Sequence, residues 1–109
     1  MNKISIIDGG FECVNLRTLI LSDNQIKEIT PKSFQKLPQL RELNLDINNI
    51  SKLENLQTCS SLHELSVSNN KIAKIEGLST LVNLRKLNLS FNKITKVEGL
   101  STLLLLEVL

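Results

Sequence analysis

The side chains in this sequence best suited to nucleophilic, acid–base or metal chemistry are Cys13, Cys59 and His63. A cysteine beside a histidine can form an activated nucleophile, and both residue types bind zinc. Either site needs further partners, and Glu64, the carboxylate next to the histidine, would point to the opposite face of a strand. The sequence also has no glycine-rich phosphate loop. We therefore predict that the protein is not an enzyme and that it holds no metal and no cofactor.

Five lysines could instead form a basic edge that contacts nucleic acid. They are Lys52, Lys71, Lys74, Lys93 and Lys96. The formal net charge is only +2, however, and the sequence has no Trp or Tyr on which bases could stack. The sequence therefore disfavours nucleic acid as the main partner, although a ribonucleoprotein subunit that uses this edge stays an alternative. The apolar run at residues 103–106 is too short to span a bilayer, so no membrane partner is predicted.

The strongest pattern in the chain is a repeat marked by asparagine. Asparagine recurs at Asn2, Asn24, Asn48, Asn70 and Asn92, at intervals of 22, 24, 22 and 22 residues. An isoleucine follows two residues after each of them, and from Asn24 onward each is preceded by Leu-x-x-Leu-x-Leu or its valine variant. A fixed period of this length indicates a solenoid in which each unit stacks on its neighbours.

Each unit predicts a strand followed by a turn. The alternation in Leu-x-Leu is that of a short strand with one buried face. The asparagine then turns the chain. Its amide can donate and accept hydrogen bonds with the backbone of neighbouring coils, so we expect the five asparagines to form a structural ladder. The longer unit contains Thr30 and Pro31, which are typical of the N-cap and the first residue of a short helix.

The predicted fold is an α/β solenoid, a right-handed coil with a parallel β-sheet on the concave face and short helices or turns on the convex face. We expect residues 1–109 to form a single domain, with a partial repeat at 1–15, repeats at 16–39, 40–61, 62–83 and 84–105, and a truncated repeat at 106–109. Neither end carries the polar cap that solenoids normally need. The chain is therefore expected to be a piece of a longer array, or a complete chain whose ends stack on another copy.

The cysteines fall in a column of the repeat that is otherwise leucine. Stacked coils lie ~5 Å apart, so Cys13 and Cys59, two coils apart, should be separated by ~10 Å, which is beyond disulfide reach. We predict that both are inert, buried thiols. His63 falls in a column otherwise made of arginine and is predicted to be a solvated surface imidazole.

These units resemble the leucine-rich repeat superfamily over almost the whole chain, from Asn2 to Leu109. They are most similar to the 22-residue class typified by the regulatory subunit of protein phosphatase 1. The pattern of that class, Leu-x-x-Leu-x-Leu-x-x-Asn-x-Ile-x-x-Ile-x-Gly-Leu, fits residues 62–78 and 84–100. The resemblance implies an intracellular protein-binding scaffold, in the cytoplasm or nucleus. The resemblance does not extend to phosphatase binding. In that family the concave face relies on several aromatic and acidic residues, whereas this sequence offers one aromatic residue there.

The variable positions around the strand leucines should face the concave side and bind the partner. They are Thr18, Ile20, Ser22, Glu42, Asn44, Asp46, Ile47, Glu64, Ser66, Ser68, Lys86, Asn88, Ser90 and Phe91. Most are small and polar, but Ile20, Ile47 and Phe91 are apolar. Phe91 is a candidate energetic anchor because buried aromatic residues dominate many interfaces. The alternative is that a single exposed aromatic has no function.

The main prediction is therefore a non-catalytic scaffold that binds another protein through its concave face. A column of basic residues flanks this face, and we call it the basic column: Arg17, Arg41, His63 and Arg85. Glu42 and Glu64, beside Arg41 and Arg85, could complement the charges of the partner. Self-association through exposed ends and the ribonucleoprotein subunit are the alternatives.

Overall fold

A computed structural model of the protein describes residues 6–7, 15–31, 33–34 and 37–107. Asn2 and Cys13 lie outside the described residues, as do most of the predicted partial repeat at 1–15 and the last two residues of the truncated repeat. What the sequence predicts for those positions therefore remains a prediction.

In the part of the chain that the structure describes, six short strands form two parallel sheets. The strands are β1 (Ile6–Ile7), β2 (Thr18–Ile20), β3 (Glu28–Ile29), β4 (Glu42–Asn44), β5 (Glu64–Ser66) and β6 (Lys86–Asn88). Four of them form one sheet in the order β2-β4-β5-β6, and β1 pairs with β3 in a second, two-stranded sheet. Every pairing is parallel, as a coil that returns to the same side after each unit requires.

The strand leucines align in one interior row. The register pairs Leu19 with Leu43, Leu43 with Leu65, and Leu65 with Leu87. Leu43, Leu65 and Leu87 are each at most 2% exposed, whereas their strand neighbours point outward. The predicted alternation is confirmed, and it fixes which side chains are scaffold and which are surface.

The core is almost entirely aliphatic and runs the length of the stack. Its columns repeat from coil to coil, for example Ile26, Ile50 and Ile72, which are all 0% exposed. Among the described residues, Phe34 is the one buried aromatic, and it is also 0% exposed. Burying each such side chain contributes roughly 1.5–3 kcal/mol, so the columns hold adjacent coils together.

The convex side consists of turns, and the described residues contain no helix. In successive turns the N–H of Leu81 donates to the carbonyl of Leu78 at 3.0 Å, and the N–H of Leu84 donates to that of Leu81 at 3.1 Å. Apolar residues spaced by three therefore all face the core. That spacing matches three residues per turn rather than the 3.6 of an α-helix.

The helix predicted from Thr30 and Pro31 is wrong for the described residues of that segment. The N–H of Ser33 donates to the carbonyl of Thr30 at 3.1 Å, and the N–H of Thr30 donates to Oγ of Ser33 at 2.8 Å. These bonds close a single turn that brings Phe34 into the core. The outer path is too short to nucleate a helix against the entropy of forming its first turn. No helix among the described residues is long and apolar enough to cross a membrane.

Candidate partner-binding face

Eight side chains point outward from the four-stranded sheet. They form two rows: Thr18, Glu42, Glu64 and Lys86 in one, and Ile20, Asn44, Ser66 and Asn88 in the other. Together with the backbone of the strand leucines, these residues line a depression of about 450 Å³. Ile20 is 64% exposed in this face, an apolar side chain without packing on one side. The face is therefore a preformed concave surface made of the positions that vary between units.

The charges of this face are only partly balanced within the chain. Nζ of Lys86 lies 3.6 Å from Oε1 of Glu64, its direct neighbour in register. Glu42 and Glu64 are paired across β4 and β5, which places like charges opposite each other. Among the described residues Glu42 has no ion pair. Its carboxylate is thus available to a cation from outside the chain.

Within the described residues, the basic column forms no ion pair with Glu42 or Glu64. Nη1 of Arg85 lies 3.9 Å from Oε2 of Glu107 rather than beside Glu64. Arg17 and Arg41 are exposed, and neither forms an ion pair with any residue that the structure describes. One edge of the face is therefore cationic.

Several predicted contact residues are already used within the scaffold. Oδ1 of Asp46 accepts hydrogen bonds from Oγ of Ser66 at 2.6 Å and from the N–H of Ser68 at 2.8 Å. Oδ1 of Asn88 accepts from the N–H and from Oγ of Ser90, at 3.0 and 2.7 Å. The prediction that Ser68 is a surface contact is wrong, since it is only 7% exposed below this network.

The ladder asparagines lie just behind this face and connect the coils. Nδ2 of Asn48 donates to the carbonyls of Leu45 and Asp46 in its own unit, at 2.9 and 3.1 Å, and to that of Leu21 in the preceding coil at 3.1 Å. Its Oδ1 accepts from the N–H of Ile26 at 3.0 Å. Asn70 and Asn92 make the same set of bonds one and two coils further on. One side chain type therefore satisfies a backbone donor and three acceptors at each turn.

One residue before Asn24, Asn48, Asn70 and Asn92, the backbone is left-handed. We call these residues the rim column: Asp23, Ile47, Asn69 and Phe91, with φ between 55° and 58°. Asp and Asn adopt this conformation readily, but in other residues Cβ crowds the following carbonyl oxygen at about 1–2 kcal/mol per residue. Ile47 and Phe91 were predicted as concave-face residues. The structure places them beyond the strand ends, outside the lining of the depression.

His63 differs from the prediction of a solvated imidazole. It is half-buried, and its Nδ1 lies 2.7 Å from the carbonyl oxygen of Ser61. Because a carbonyl only accepts, Nδ1 carries a proton and donates in this contact. The ring is thus held as part of the turn that leads into β5. The described residues contain no cluster that could hold a metal ion.

Cys59 is 0% exposed in the core column where other units have leucine. Burial raises the pKa of its thiol from 9.0 to about 11, and a hydrogen bond with Thr58 opposes this slightly. The folded-state pKa therefore lies above the unfolded one. The contribution of the thiol to stability is complete below pH 9.0 and is lost as pH rises towards about 11.

We expect Cys59 to be unreactive in the native protein, because the thiolate is the nucleophile and both burial and protonation suppress it. The measurement is the rate of reaction with a disulfide reagent at about pH 8 in a Cys13→Ser background. Labelling should require denaturant, whereas Ser60→Cys, at the exposed neighbouring position, should react at once. Rapid labelling of native Cys59 would contradict the burial described here.

The left-handed backbone of the convex turns, and their close approach to the preceding coil, were not predicted from the sequence. Gly77 and Gly99 take positive φ values of 74° and 71°, and Asn55 takes 59° at the equivalent place one coil earlier. A Cβ on Gly77 would lie 2.4 Å from the carbonyl oxygen of Leu53. The signal was present in the sequence as the repeated Glu-Gly-Leu, which follows Ile75 and Val97 in the last two return segments.

Some apolar side chains of the last described coil are more exposed than their counterparts one coil earlier. Val97 is 70% exposed, whereas Ile75, one unit earlier in the same column, is 3% exposed. Leu104 is 87% exposed. Self-association through such a surface stays a prediction.

Parallel strands in register, an asparagine at each turn and an aliphatic core of repeated columns define a leucine-rich repeat solenoid. The chain belongs to the leucine-rich repeat family. The model described as "Leucine rich repeat" matches residues 2–50 and 14–72, and the model "Leucine Rich repeats (2 copies)" matches residues 60–102. The superfamily and fold class predicted from sequence are confirmed. No curated protein matches the chain.

This chain is similar to segments of three longer proteins whose structures have been solved. An internalin, InlF from Listeria monocytogenes, is 24% identical with a TM-score of 0.85, over 98% of this chain and 31% of its own. The functional domain of InlJ from the same organism is 34% identical with a TM-score of 0.71, over 85% of this chain and 19% of its own. TLR13 in its complex with ssRNA13 is 26% identical with a TM-score of 0.83, over 96% of this chain and 18% of its own. The chain thus spans less than a third of each.

Proposed function

We propose that the protein is a non-catalytic scaffold that binds a partner protein through its concave face. One observation carries the proposal: four strands in register present eight outward side chains around a depression of about 450 Å³, while the inward leucines stay constant. Binding residues are commonly variable side chains that a rigid scaffold holds in place, and the outward side chains and inward leucines of this sheet have that arrangement. Proteins of the leucine-rich repeat family generally act in protein–protein interaction.

The residues most available to a partner are Ile20, Glu42 and Lys86. Ile20 is 64% exposed, and Glu42 has no ion pair among the described residues. Among the described residues Lys86 forms one ion pair, with Glu64, and both side chains are largely exposed. Exposed ion pairs contribute about 0–1 kcal/mol, so a charged group of the partner can replace Glu64. An apolar side chain flanked by both charge signs fits a mixed protein surface better than a uniformly charged polymer.

Single-stranded RNA is the ligand in the TLR13 complex. On this chain the carboxylates of Glu42 and Glu64 stand in the middle of the sheet, where a phosphate backbone would meet like charge. We therefore favour a protein partner, and partner recovery should survive nuclease treatment. The intracellular location expected from the sequence also stays a prediction.

We further infer that the units belong to the 22-residue class typified by the phosphatase regulatory subunit. The glycines of its pattern fall on Gly77 and Gly99, whose positive φ and close approach to the preceding coil require glycine. Membership in this class concerns the shape of the coil and leaves the partner open.

Ile20→Lys combined with Glu42→Lys should reduce recovery of the partner about tenfold or more, because the apolar contact and one charge are replaced together. Affinity capture with quantitative mass spectrometry measures this. The matched control is Val82→Lys with Glu28→Lys, which makes the same charge change at exposed positions off this face. Equal loss in both variants, or no loss in either, would contradict binding at the concave face.

A further inference from the structure

Ile47 and Phe91 are residues that the backbone of the rim column disfavours. All four rim residues have φ between 55° and 58°. Asp23 and Asn69 suit this conformation because their short polar side chains can hydrogen-bond locally. A β-branched isoleucine is a clear outlier there. The fold therefore accepts Asp or Asn at this position, and an apolar residue is not required by the coil.

Packing against the described residues does little to offset this strain at Ile47 and Phe91. Ile47 is 52% exposed and Phe91 is 78% exposed. Strained residues that are not stabilised by burial are a recognised mark of functional sites. The contact that stabilises them is therefore expected to come from a partner.

The two edges of the concave face differ in chemistry. The rim column follows the strands and carries the exposed apolar residues, whereas the basic column precedes the strands and carries Arg17 and Arg41 without ion pairs among the described residues. The columns are six residues apart in each unit, which corresponds to roughly 20 Å of extended chain. An α-helix is about 10–12 Å wide with its side chains, so it can lie between the columns while the long arginines reach its other side. A single extended strand is too narrow to contact both edges.

We propose that this face holds an acidic amphipathic helix of the partner protein, aligned along the stack, with apolar residues on Ile47 and Phe91 and carboxylates confined to the side that meets Arg17 and Arg41. The side of the helix above Glu42 and Glu64 carries no carboxylate, because like charges would meet there. This inference rests on the proposed function and names the chemistry of the partner. Ile47 and Phe91 are two coils apart, which is about 10 Å, the rise of seven residues of a helix. Apolar residues seven apart in the partner would therefore meet both.

The first test separates the rim residues from the fold. Ile47→Asn and Phe91→Asn are each expected to raise Tm by about 4 °C or more, because they relieve left-handed strain at exposed positions. The matched reverse change, Asn69→Ile, should lower Tm by a similar amount. A fall in Tm for either asparagine variant would show that the side chain serves the fold, and would overturn the inference.

The second test uses two synthetic helical peptides of about 20 residues, each with leucine at every seventh position. One peptide carries glutamates on the side of the helix that faces Arg17 and Arg41, and the other carries lysines at the same positions. Fluorescence anisotropy should show that the glutamate peptide binds at least tenfold more tightly, and that Phe91→Asn and the Arg17→Glu, Arg41→Glu double variant each weaken it tenfold or more. Val82→Asn, at an exposed outer position, is the control and should have no effect.

Equal affinity for the two peptides, or no binding of either, would overturn the acidic helix as the occupant. So would tight binding that Phe91→Asn does not change. In each of these cases the capture experiment with Ile20→Lys and Glu42→Lys still decides separately whether the concave face binds a protein partner.

Discussion

Replacing Gly77 with alanine should destabilise the protein by about 3 kcal/mol or more, a large fraction of the typical stability of a small domain. A Cβ there would lie 2.4 Å from the carbonyl oxygen of Leu53 and 3.1 Å from its carbonyl carbon. Both atoms are backbone, so relief requires that two coils move apart. The positive φ of 74° adds the left-handed strain of any L side chain. Chemical denaturation measures the loss.

Gly77→Asn separates the two causes. Asparagine tolerates positive φ but brings the same Cβ, so it should be almost as harmful as alanine if close approach dominates. Asn55→Gly is the matched comparison one coil earlier, where φ is 59° and Nδ2 donates to the carbonyl of Ile29 at 2.6 Å. That change should cost about 1 kcal/mol for the lost hydrogen bond. A loss of less than about 1 kcal/mol for Gly77→Ala would contradict the close contact between coils.

Asn70→Ala should destabilise the protein by about 3 kcal/mol, because it leaves a buried backbone donor without a partner. Oδ1 of Asn70 accepts from the N–H of Ile50 at 3.0 Å, and Nδ2 donates to the carbonyls of Leu45, Val67 and Ser68 at 2.9, 3.0 and 3.1 Å. The residue is 8% exposed, so water cannot replace these bonds freely. Equilibrium denaturation in urea gives the change in free energy of unfolding.

Asn49→Ala is the control for this experiment, since Asn49 directly follows Asn48, the ladder asparagine one coil earlier, but is half-exposed. Its replacement should change stability by no more than about 0.5 kcal/mol. Asn70→Asp adds a second readout: a carboxylate keeps the acceptor but repels the three carbonyls, so this variant should recover stability at low pH, where the neutral acid can donate. Equal effects of Asn49→Ala and Asn70→Ala would mean that the ladder bonds do not hold the coils together.

The repeat was predictable because its signal is redundant. Each Leu-x-Leu must present one face inward, and a slip of one residue would expose every leucine, so the register of Leu43, Leu65 and Leu87 followed from the pattern. The period of 22 residues and the asparagine after each strand left few other folds. The convex side was less predictable, because a turn and a short helix both bring apolar residues to a core. Leucines spaced by three, such as Leu78, Leu81 and Leu84, carried the answer.

The outward face was harder to predict, because the pattern fixes positions and says little about hydrogen bonds. Ser68 has the same position in the repeat as the surface serines, yet it is 7% exposed and its N–H donates to the carboxylate of Asp46. The left-handed backbone at Ile47 and Phe91 had a visible hint in Asp23 and Asn69, the residue types that adopt it readily. The sequence alone did not show that these positions share a left-handed backbone, because Ile47 and Phe91 alternate with Asp23 and Asn69 from coil to coil. The φ values show it.

Photo-cross-linking can show whether partners dock on the strand side of the stack. A photoreactive amino acid is placed in turn at Ile20, Glu42 and Asn88 on the sheet, and at Gln57, Thr80 and Val82 on the outer turns, all of which are exposed. We expect the same partner protein to be cross-linked from the three sheet positions and from none of the outer ones. Adducts formed mainly from the outer turns, or equally from both sides, would contradict it.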